Sequence, residues 1–203
     1  MTRTKSGVRV IAGTAGGRRL VVPSGTTVRP MTDRMKESVF SRLGPIPLPD
    51  RTALDLFAGS GSLGLEALSR GVDTVTFVER DQRLVEAIKT NLAACGFEGR
   101  ATVTVQSVEC LARSQAPGSF DLVFADPPYP MSDDAVAAIL DDLVKHGWVH
   151  DHTLLIAHRQ GDNPAVLGKS WEASGVHGFG SGFVILATVA ANHGMESAEV
   201  VDL

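Results

Sequence analysis

Between residues 53 and 157, short apolar runs alternate with segments whose apolar side chains recur every three or four positions. The runs Ala53–Phe57, Thr74–Val78, Ala101–Val105, Phe120–Ala125 and Thr153–Ala157 are predicted to be strands. Ser62–Arg70, Gln82–Cys95, Val108–Ser114 and Asp133–Lys145 are predicted to be the helices between them. Short apolar strands alternating with helices imply an α/β fold with a parallel sheet covered on both faces. The last runs, Trp171–Val176 and Phe183–Val189, have no helix of ordinary length between them and are expected to pair antiparallel.

Ahead of this alternation the pattern differs. Val8, Val10 and Ile11 precede Gly13 and the Gly16-Gly17 turn, and Leu20, Val21 and Val22 follow, which predicts a small β-hairpin. Pro23 and Pro30 keep the chain extended up to a helix start at Thr32/Asp33. That helix is predicted to run to Leu43, with Met35, Val39 and Leu43 on its apolar stripe and Arg34, Glu37 and Ser41 opposite. The Pro45-Ile-Pro-Leu-Pro49 stretch reads as a stiff linker. The expected organisation is an extension over 1–44, a catalytic body over 45–192 and a frayed tail over 193–203.

Charge sharpens that division. The 203 residues carry 19 Lys+Arg and 23 Asp+Glu, a net charge of −4. Residues 1–42 hold nine basic side chains against Asp33 and Glu37, a local +7, which leaves −11 for the rest. An acidic body with a basic leader fits an enzyme-like domain with an arm for a polyanion; uneven but inconsequential surface charge is the plainer alternative. A content of 43% hydrophobic and 21% charged residues excludes disordered and fibrous classes. The longest apolar stretch, Phe183–Ala191, is too short to span a bilayer, and no apolar run follows the basic first residues as in a signal peptide. Cys95 and Cys110 form no CxxC or disulfide framework, which fits a reducing cytoplasm and ordinary buried packing.

The candidate chemistry begins at Leu54-Asp-Leu-Phe-Ala-Gly59-Ser-Gly61-Ser-Leu-Gly64, between the first core strand and its helix. Glycines there let the backbone turn sharply and approach a ligand at the carboxyl edge of the sheet. Glu79 ends the second strand, where a carboxylate accepts hydrogen bonds from ribose hydroxyls. The match to GxGxxG keeps a nicotinamide dehydrogenase in contention. Asp55 weighs against it, because a pyrophosphate wants helix amides and no adjacent anion. The cationic ammonium and sulfonium of S-adenosylmethionine suit that carboxylate better. A tight turn with no ligand is the third and weakest alternative.

Phe120-Asp-Leu-Val-Phe-Ala-Asp126-Pro127-Pro128-Tyr129 ends the fourth strand with a tetrapeptide for which a dehydrogenase has no use. By itself DPPY is a proline-stiffened strand exit with a surface tyrosine. Following a strand-one Asp-x-x-x-Gly-x-Gly, it resembles the (D/N)PP(Y/F) of the amino-methyltransferases that act on nucleobases. An exocyclic base amine is a poor nucleophile, since its lone pair is delocalised into the ring. Acceptance of its two hydrogens by the Asp126 carboxylate and the Pro127 carbonyl frees that lone pair for in-line attack on a methyl group. Tyr129 is expected to stack on a base splayed from its neighbours. Neither cysteine follows a proline, and no metal is called for; His146, His150 and His152 are read as a solvated helix-to-strand loop.

The leader narrows the class further. Arg9-Val-Ile-Ala-Gly-Thr-Ala-Gly-Gly-Arg-Arg-Leu20 and Val28-Arg-Pro-Met-Thr-Asp-Arg34-Met-Lys-Glu-Ser-Val-Phe40, with Asp55 to Arg70 and Asp126 to Tyr129, resemble the RsmD family of small-subunit ribosomal RNA guanine-N2 methyltransferases. The resemblance runs from Val8 to Val189. It implies a Rossmann-like class I S-adenosylmethionine-dependent methyltransferase with a seven-stranded, mostly parallel sheet and an RNA-contacting hairpin. It also implies a guanine target in the 16S rRNA of small ribosomal subunits or their assembly intermediates. By position, Asp55, Phe57, Ala58, Gly59, Ser60, Gly61, Glu79, Arg80, Ser107 and Val108 hold the cofactor, together with Asp126. Asp126, Pro127, Pro128 and Tyr129 hold the target amine. Arg9, Arg18, Arg19, Arg29, Thr32 and Arg34 face RNA, with ion pairing to the acidic body the alternative for Arg29 and Arg34. Gly64 and Asp126 lie only 62 positions apart, without an inserted domain for reading duplex DNA, which favours a structured RNA target. Adenine-N6 methylation and a non-catalytic RNA-binding assembly role are the competing functions.

Overall fold

The computed structural model describes residues 7–25, 31–43, 50–160, 167–179 and 182–191; Arg29, the proline-rich linker and the tail from Asn192 onward lie outside them. After a hairpin, the elements are α1 (Asp33–Leu43), β1 (Thr52–Leu56), α2 (Ser62–Ser69), β2 (Thr74–Glu79), α3 (Gln82–Cys95), β3 (Ala101–Val105), α4 (Val108–Ala112), β4 (Phe120–Ala125), α5 (Asp133–Lys145), β5 (Val149–Gln160), β6 (Trp171–Phe179) and β7 (Gly182–Val189). They build one seven-stranded sheet in the order β3-β2-β1-β4-β5-β7-β6. β1 to β5 run parallel, and β7 is antiparallel to both β5 and β6.

The two-residue period of the strands sorts side chains between two cores. Val75, Phe77, Leu122, Phe124, Ile156 and Val184 face one, which also takes in Val10, Leu20, Val39, Phe40 and Leu43 from the hairpin and α1. Leu54, Leu56, Val123, Ala125, Leu155 and Ile185 face the other, closed by α4, α5, Trp148 and Trp171. The leader therefore packs on the sheet, with the Phe40 and Phe124 rings 5.7 Å apart and the Arg70 guanidinium 4.9 Å from the Phe40 ring centre.

The hairpin is minimal. One bridge joins Arg9 and Arg19, with Val10 N–H donating to the Arg18 carbonyl at 2.9 Å and Leu20 N–H to that of Val8 at 2.9 Å. A pair of strands this short does not hold alone in water. Its anchors are buried polar groups on α2 and α3. Glu66 is fully buried and accepts from Ile11 N–H at 2.6 Å, Ala12 N–H at 3.1 Å and Arg70 Nε at 2.6 Å. Ser69 Oγ accepts from Ala15 N–H at 2.9 Å, and the Ser69 carbonyl accepts from Thr14 N–H at 2.8 Å. Asn91 brackets the Val21 peptide, with Oδ1 2.7 Å from its N–H and Nδ2 3.0 Å from its carbonyl. In α1, Lys36 is buried beside Phe40 and its Nζ donates to the Arg9 carbonyl; burial lowers its pKa, opposed by the charges of Glu66 and Asp33.

Two expectations need correction. β5 begins at Val149 rather than Thr153, so His150 and His152 belong to a strand instead of a loop. The cause is a register shift opposite Phe120 and Leu122, closed by Thr153 Oγ1, which donates to the Phe120 carbonyl at 2.6 Å and accepts from His150 N–H at 2.8 Å. Cys110 is exposed on α4 rather than buried, and Cys95 is half-buried. Among the described residues, no group of His, Cys, Asp and Glu side chains is placed to hold a metal ion.

Gly13 sits at φ +85°, where a Cβ would lie 1.9 Å from the Ser69 carbonyl oxygen. No rotamer relieves a clash with backbone. Gly13→Ala is expected to lift the hairpin from α2 and to cost on the order of 2 kcal/mol. Denaturant unfolding measures the loss, and limited proteolysis near Gly13 should quicken while the sheet stays resistant.

Candidate active site

β1 and β4 pair with Leu56 beside Ala125, so the glycine loop and the Asp-Pro-Pro-Tyr segment leave the sheet side by side. Parallel strands put their carboxyl ends on one edge, where open α/β sheets bind ligands. The loop turns through left-handed backbone at Phe57 (φ 55°), Gly59 (φ 59°) and Gly61 (φ 79°). A positive φ at an aromatic residue is strained and persists because its surroundings hold it. Ala58 N–H donates to the Val78 carbonyl at 3.0 Å, and Gly61 N–H to that of Ala58 at 2.8 Å. Asn91 Nδ2, already on the Val21 carbonyl, donates to the Ser60 carbonyl as well at 3.0 Å. The same side chain thus ties the leader to the loop. Ser60 Oγ is buried without a hydrogen-bond partner among the described residues.

Asp55 is 1% exposed, and its Oδ2 accepts from Gly64 N–H at 2.9 Å. Gly61 is the N-cap of α2, so Gly64 provides one of the helix's first, otherwise unpartnered amides. The chain's own carboxylate occupies the position a pyrophosphate needs. Burial pushes the Asp55 carboxyl well above 3.8; the Gly64 hydrogen bond opposes this, and the charges of Asp126 and Glu79 reinforce it. Three acids around one loop form a site for a cation. The third motif glycine serves packing instead, since a Cβ on Gly64 would lie 2.4 Å from Phe77.

Glu79 braces the loop from β2. Its Oε2 accepts from Gly59 N–H at 2.9 Å, and its Oε1 accepts from Arg80 and Asp81 N–H at 2.8 and 2.9 Å. Three of the four acceptor sites of the carboxylate are thereby used, and Oε2 keeps one for a hydroxyl. Arg80 itself is exposed. Ser107 caps α4 by accepting from Cys110 N–H at 3.2 Å, and Val108 is buried behind it. After β4, Asp126 is half-buried, Pro127 buried, and Pro128 and Tyr129 exposed. Pro128 turns the chain by accepting Met131 N–H at 3.0 Å.

The predicted RNA-facing residues divide. Arg18, Arg19 and Arg34 are exposed and pair with no carboxylate among the described residues, whereas Arg9 bonds Asp33 at 2.9 Å. A groove of about 480 Å³ is lined by Gly7, Arg9, Gly17, Arg19 and Asp33. A second, of about 380 Å³, lies between the start of α1 and the end of β6, with Thr32, Arg34, Met35, Gly178 and Phe179 on its walls. Neither includes the glycine loop. Of the side chains that hold these parts together, Lys36, Glu66 and Ser69 fall within stretches that carry the family resemblance and Asn91 does not, and nothing local marks the partners of any of them. Their own polarity within buried helix faces could have marked them.

A seven-stranded sheet that is parallel but for its antiparallel penultimate strand, with a glycine loop after its first strand, is the architecture of the class I methyltransferases. Residues 8–186 match the family model described as Conserved hypothetical protein 95. The chain belongs to that family. It is 37% identical to ribosomal RNA small subunit methyltransferase D of Haemophilus influenzae, over 82% of this chain and 86% of the relative. The Escherichia coli K12 protein of the same name is 35% identical over 77% and 76%. The solved structure of Escherichia coli yhhF superposes with a TM-score of 0.79 at 31% identity, covering 91% of this chain and 98% of that one. A shorter stretch, 37% of this chain and 32% of the relative, is 34% identical to the tRNA1(Val) (adenine(37)-N6)-methyltransferase of a Shewanella species.

The folded state holds the Asp55 proton more tightly than the unfolded chain does. Stability from that proton is complete below pH 3.8 and falls as pH rises toward the elevated folded value. Asp55→Asn keeps an acceptor for Gly64 N–H and removes the buried charge. The variant is expected to match wild type below pH 3.8 and to exceed it near neutrality, as read from denaturant midpoints across pH. Equal midpoints at pH 7 would contradict this.

Proposed function

We propose that this chain transfers the methyl group of S-adenosylmethionine to the exocyclic N2 amine of a guanine in the 16S rRNA of the small ribosomal subunit, acting in the cytoplasm. The observation that carries the reading is the joining of two motifs at one sheet edge: the buried Asp55 beneath the α2 N-terminus and Asp126 at the end of the neighbouring strand. An N-terminal amide satisfied from within, and acids on three sides, suit a ligand bearing ammonium and sulfonium and disfavour NAD. The cofactor supplies an electrophilic methyl group on positive sulfur.

The protein's part is positioning. Glu79 is placed for ribose hydroxyls, and Gly59 and Gly61 keep the backbone close to the ligand. Asp126 and the Pro127 carbonyl accept the two amine hydrogens, which localises the nitrogen lone pair. That lone pair would take the methyl group of the cofactor held by Asp55, Gly59, Gly61 and Glu79, and the surplus amine proton would leave by the Asp126 carboxylate for water. Tyr129, 45% exposed, offers a face for the splayed base. Resemblance of part of the chain to an adenine-N6 enzyme is understandable, because such a pocket addresses an amine rather than a whole base. The leader, which the family match includes from residue 8, is the better guide to the substrate.

Small subunits from a strain lacking this gene, incubated with the protein and methyl-labelled cofactor, are expected to yield N2-methylguanosine after digestion to nucleosides. Label in N6-methyladenosine would overturn the base assignment. Asp126→Ala should lower the rate on the order of 10²-fold or more.

Arg18 and Arg19 are placed for RNA phosphate. Replacing both with Ala should weaken RNA binding and reduce the slope of log K against log salt by about one to two. Cofactor affinity, read by calorimetry, should stay the same. An unchanged salt slope would remove these residues from the RNA surface.

A further inference from the structure

Asp126 does not stand alone at the end of β4. Ala125 pairs with Ala157 on β5, so the next residues, Asp126 and His158, lie abreast on the sheet face that also bears Asp55. His158 Nδ1 is 2.8 Å from Asp126 Oδ1, and the histidine side chain is 8% exposed. Among the described residues, no other side chain bonds Asp126. On the far side of the imidazole, β7 carries Gly182, where a Cβ would come within 3.2 Å of His158 Nε2 and 2.7 Å of the Arg159 carbonyl. The ring is confined between the carboxylate it touches and a strand position with no side chain.

The next residue of β5 necessarily points to the opposite face. Arg159 Nη2 donates there to the Met131 carbonyl at 3.1 Å and to Asp133 Oδ1. Consecutive β5 residues therefore grip both ends of the segment that runs from Asp126 through Tyr129 to the start of α5. Arg159 holds the far end by charge and backbone. His158 holds the end where the chemistry lies.

We propose that His158 is a positioning residue for methyl transfer, its Nδ1–H fixing one oxygen of Asp126 so that the other is presented to the target amine. An ionised carboxylate only accepts hydrogen bonds, so Nδ1 must carry the proton. Oδ1 is then committed to the ring, and Oδ2 is the acceptor that draws an amine hydrogen and later its proton. Without the ring, Asp126 rotates about its side-chain bonds, and the lone pair it is meant to localise loses its direction. This inference rests on the proposed amine methylation for its catalytic consequence, and on the 2.8 Å contact alone for its structural content.

Nitrogen NMR of the whole protein labelled in its histidines reads the ring directly. The expected result is a His158 Nδ1 that bears a proton at neutral pH; an unprotonated Nδ1 overturns the proposal. That measurement needs no RNA, so it still decides the pairing if wild-type protein methylates no ribosomal guanine, the outcome that would instead defeat the proposed function. Kinetics on small subunits test the consequence. His158→Leu fills similar space without a donor and should lower kcat on the order of 10²-fold, with KM for RNA and cofactor affinity near wild type. His158→Asn places an amide N–H near the Nδ1 position and should recover kcat to within about tenfold of wild type. Full activity in His158→Leu, or equal loss in both variants together with weakened cofactor binding, would reduce His158 to a packing residue.

Discussion

The two-residue period of a parallel sheet covered on both faces governs the rest of this molecule. Once Leu54 and Leu56 face one core, Asp55 between them must face the other, and its carboxylate is buried wherever it ends. Strand register carries the same parity across to Asp126 and to His158. Three polar side chains thereby fall on one face at one edge, without any loop having to gather them. The same face receives the leader through Val10, Leu20 and Phe40. Site and arm share a side of the sheet because alternation leaves no other arrangement for these residues.

Burying the Asp55 charge is unfavourable, and among the described residues no cation neutralises it. Its compensation within the chain is the Gly64 N–H at the start of α2, reinforced by the local field of the helix N-terminus. A site left electrostatically incomplete in this way is pre-organised for a positively charged ligand and costs stability until one binds. α2 also serves the opposite end of the molecule, since Glu66 and Ser69 in its later turns grip the hairpin. Every residue of this helix is buried. A helix so constrained at both ends, with Asn91 bridging from α3 to Val21 and Ser60, joins the leader to the cofactor loop by direct contact.

Much of this was legible in the sequence, for a physical reason. Short, mostly apolar strands and helices with clear stops are local signals, and β3, β4, α3 and α5 fall on the expected residues. The glycine loop and Asp-Pro-Pro-Tyr are also local, because backbone turning and carbonyl presentation need particular residues in a row. Glu66, Asn91, Lys36 and His158 were not legible, since each acts on a partner distant in sequence. Glu66 and Ile11 are 55 positions apart, and His158 and Asp126 are 32. The early start of β5 was hidden for the same reason: a bulge depends on the neighbouring strand, and residues 149–152 carry no alternation of their own.

The division of charge between leader and body changes meaning once the side chains are placed. Lys36 is buried beneath the hairpin and Arg9 is bonded to Asp33, so both serve the fold. Arg18, Arg19 and Arg34 remain exposed without carboxylate partners among the described residues. Near the site the potential is of opposite sign, set by Asp55, Glu79 and Asp126. A phosphodiester backbone is attracted to the first region and repelled from the second, whereas an uncharged base is not repelled from either. Under the proposed function, such a surface favours a nucleic acid whose backbone is held on the arm with a base turned inward. On that proposal, electrostatics contributes to the selection of a splayed nucleotide before any base edge is read.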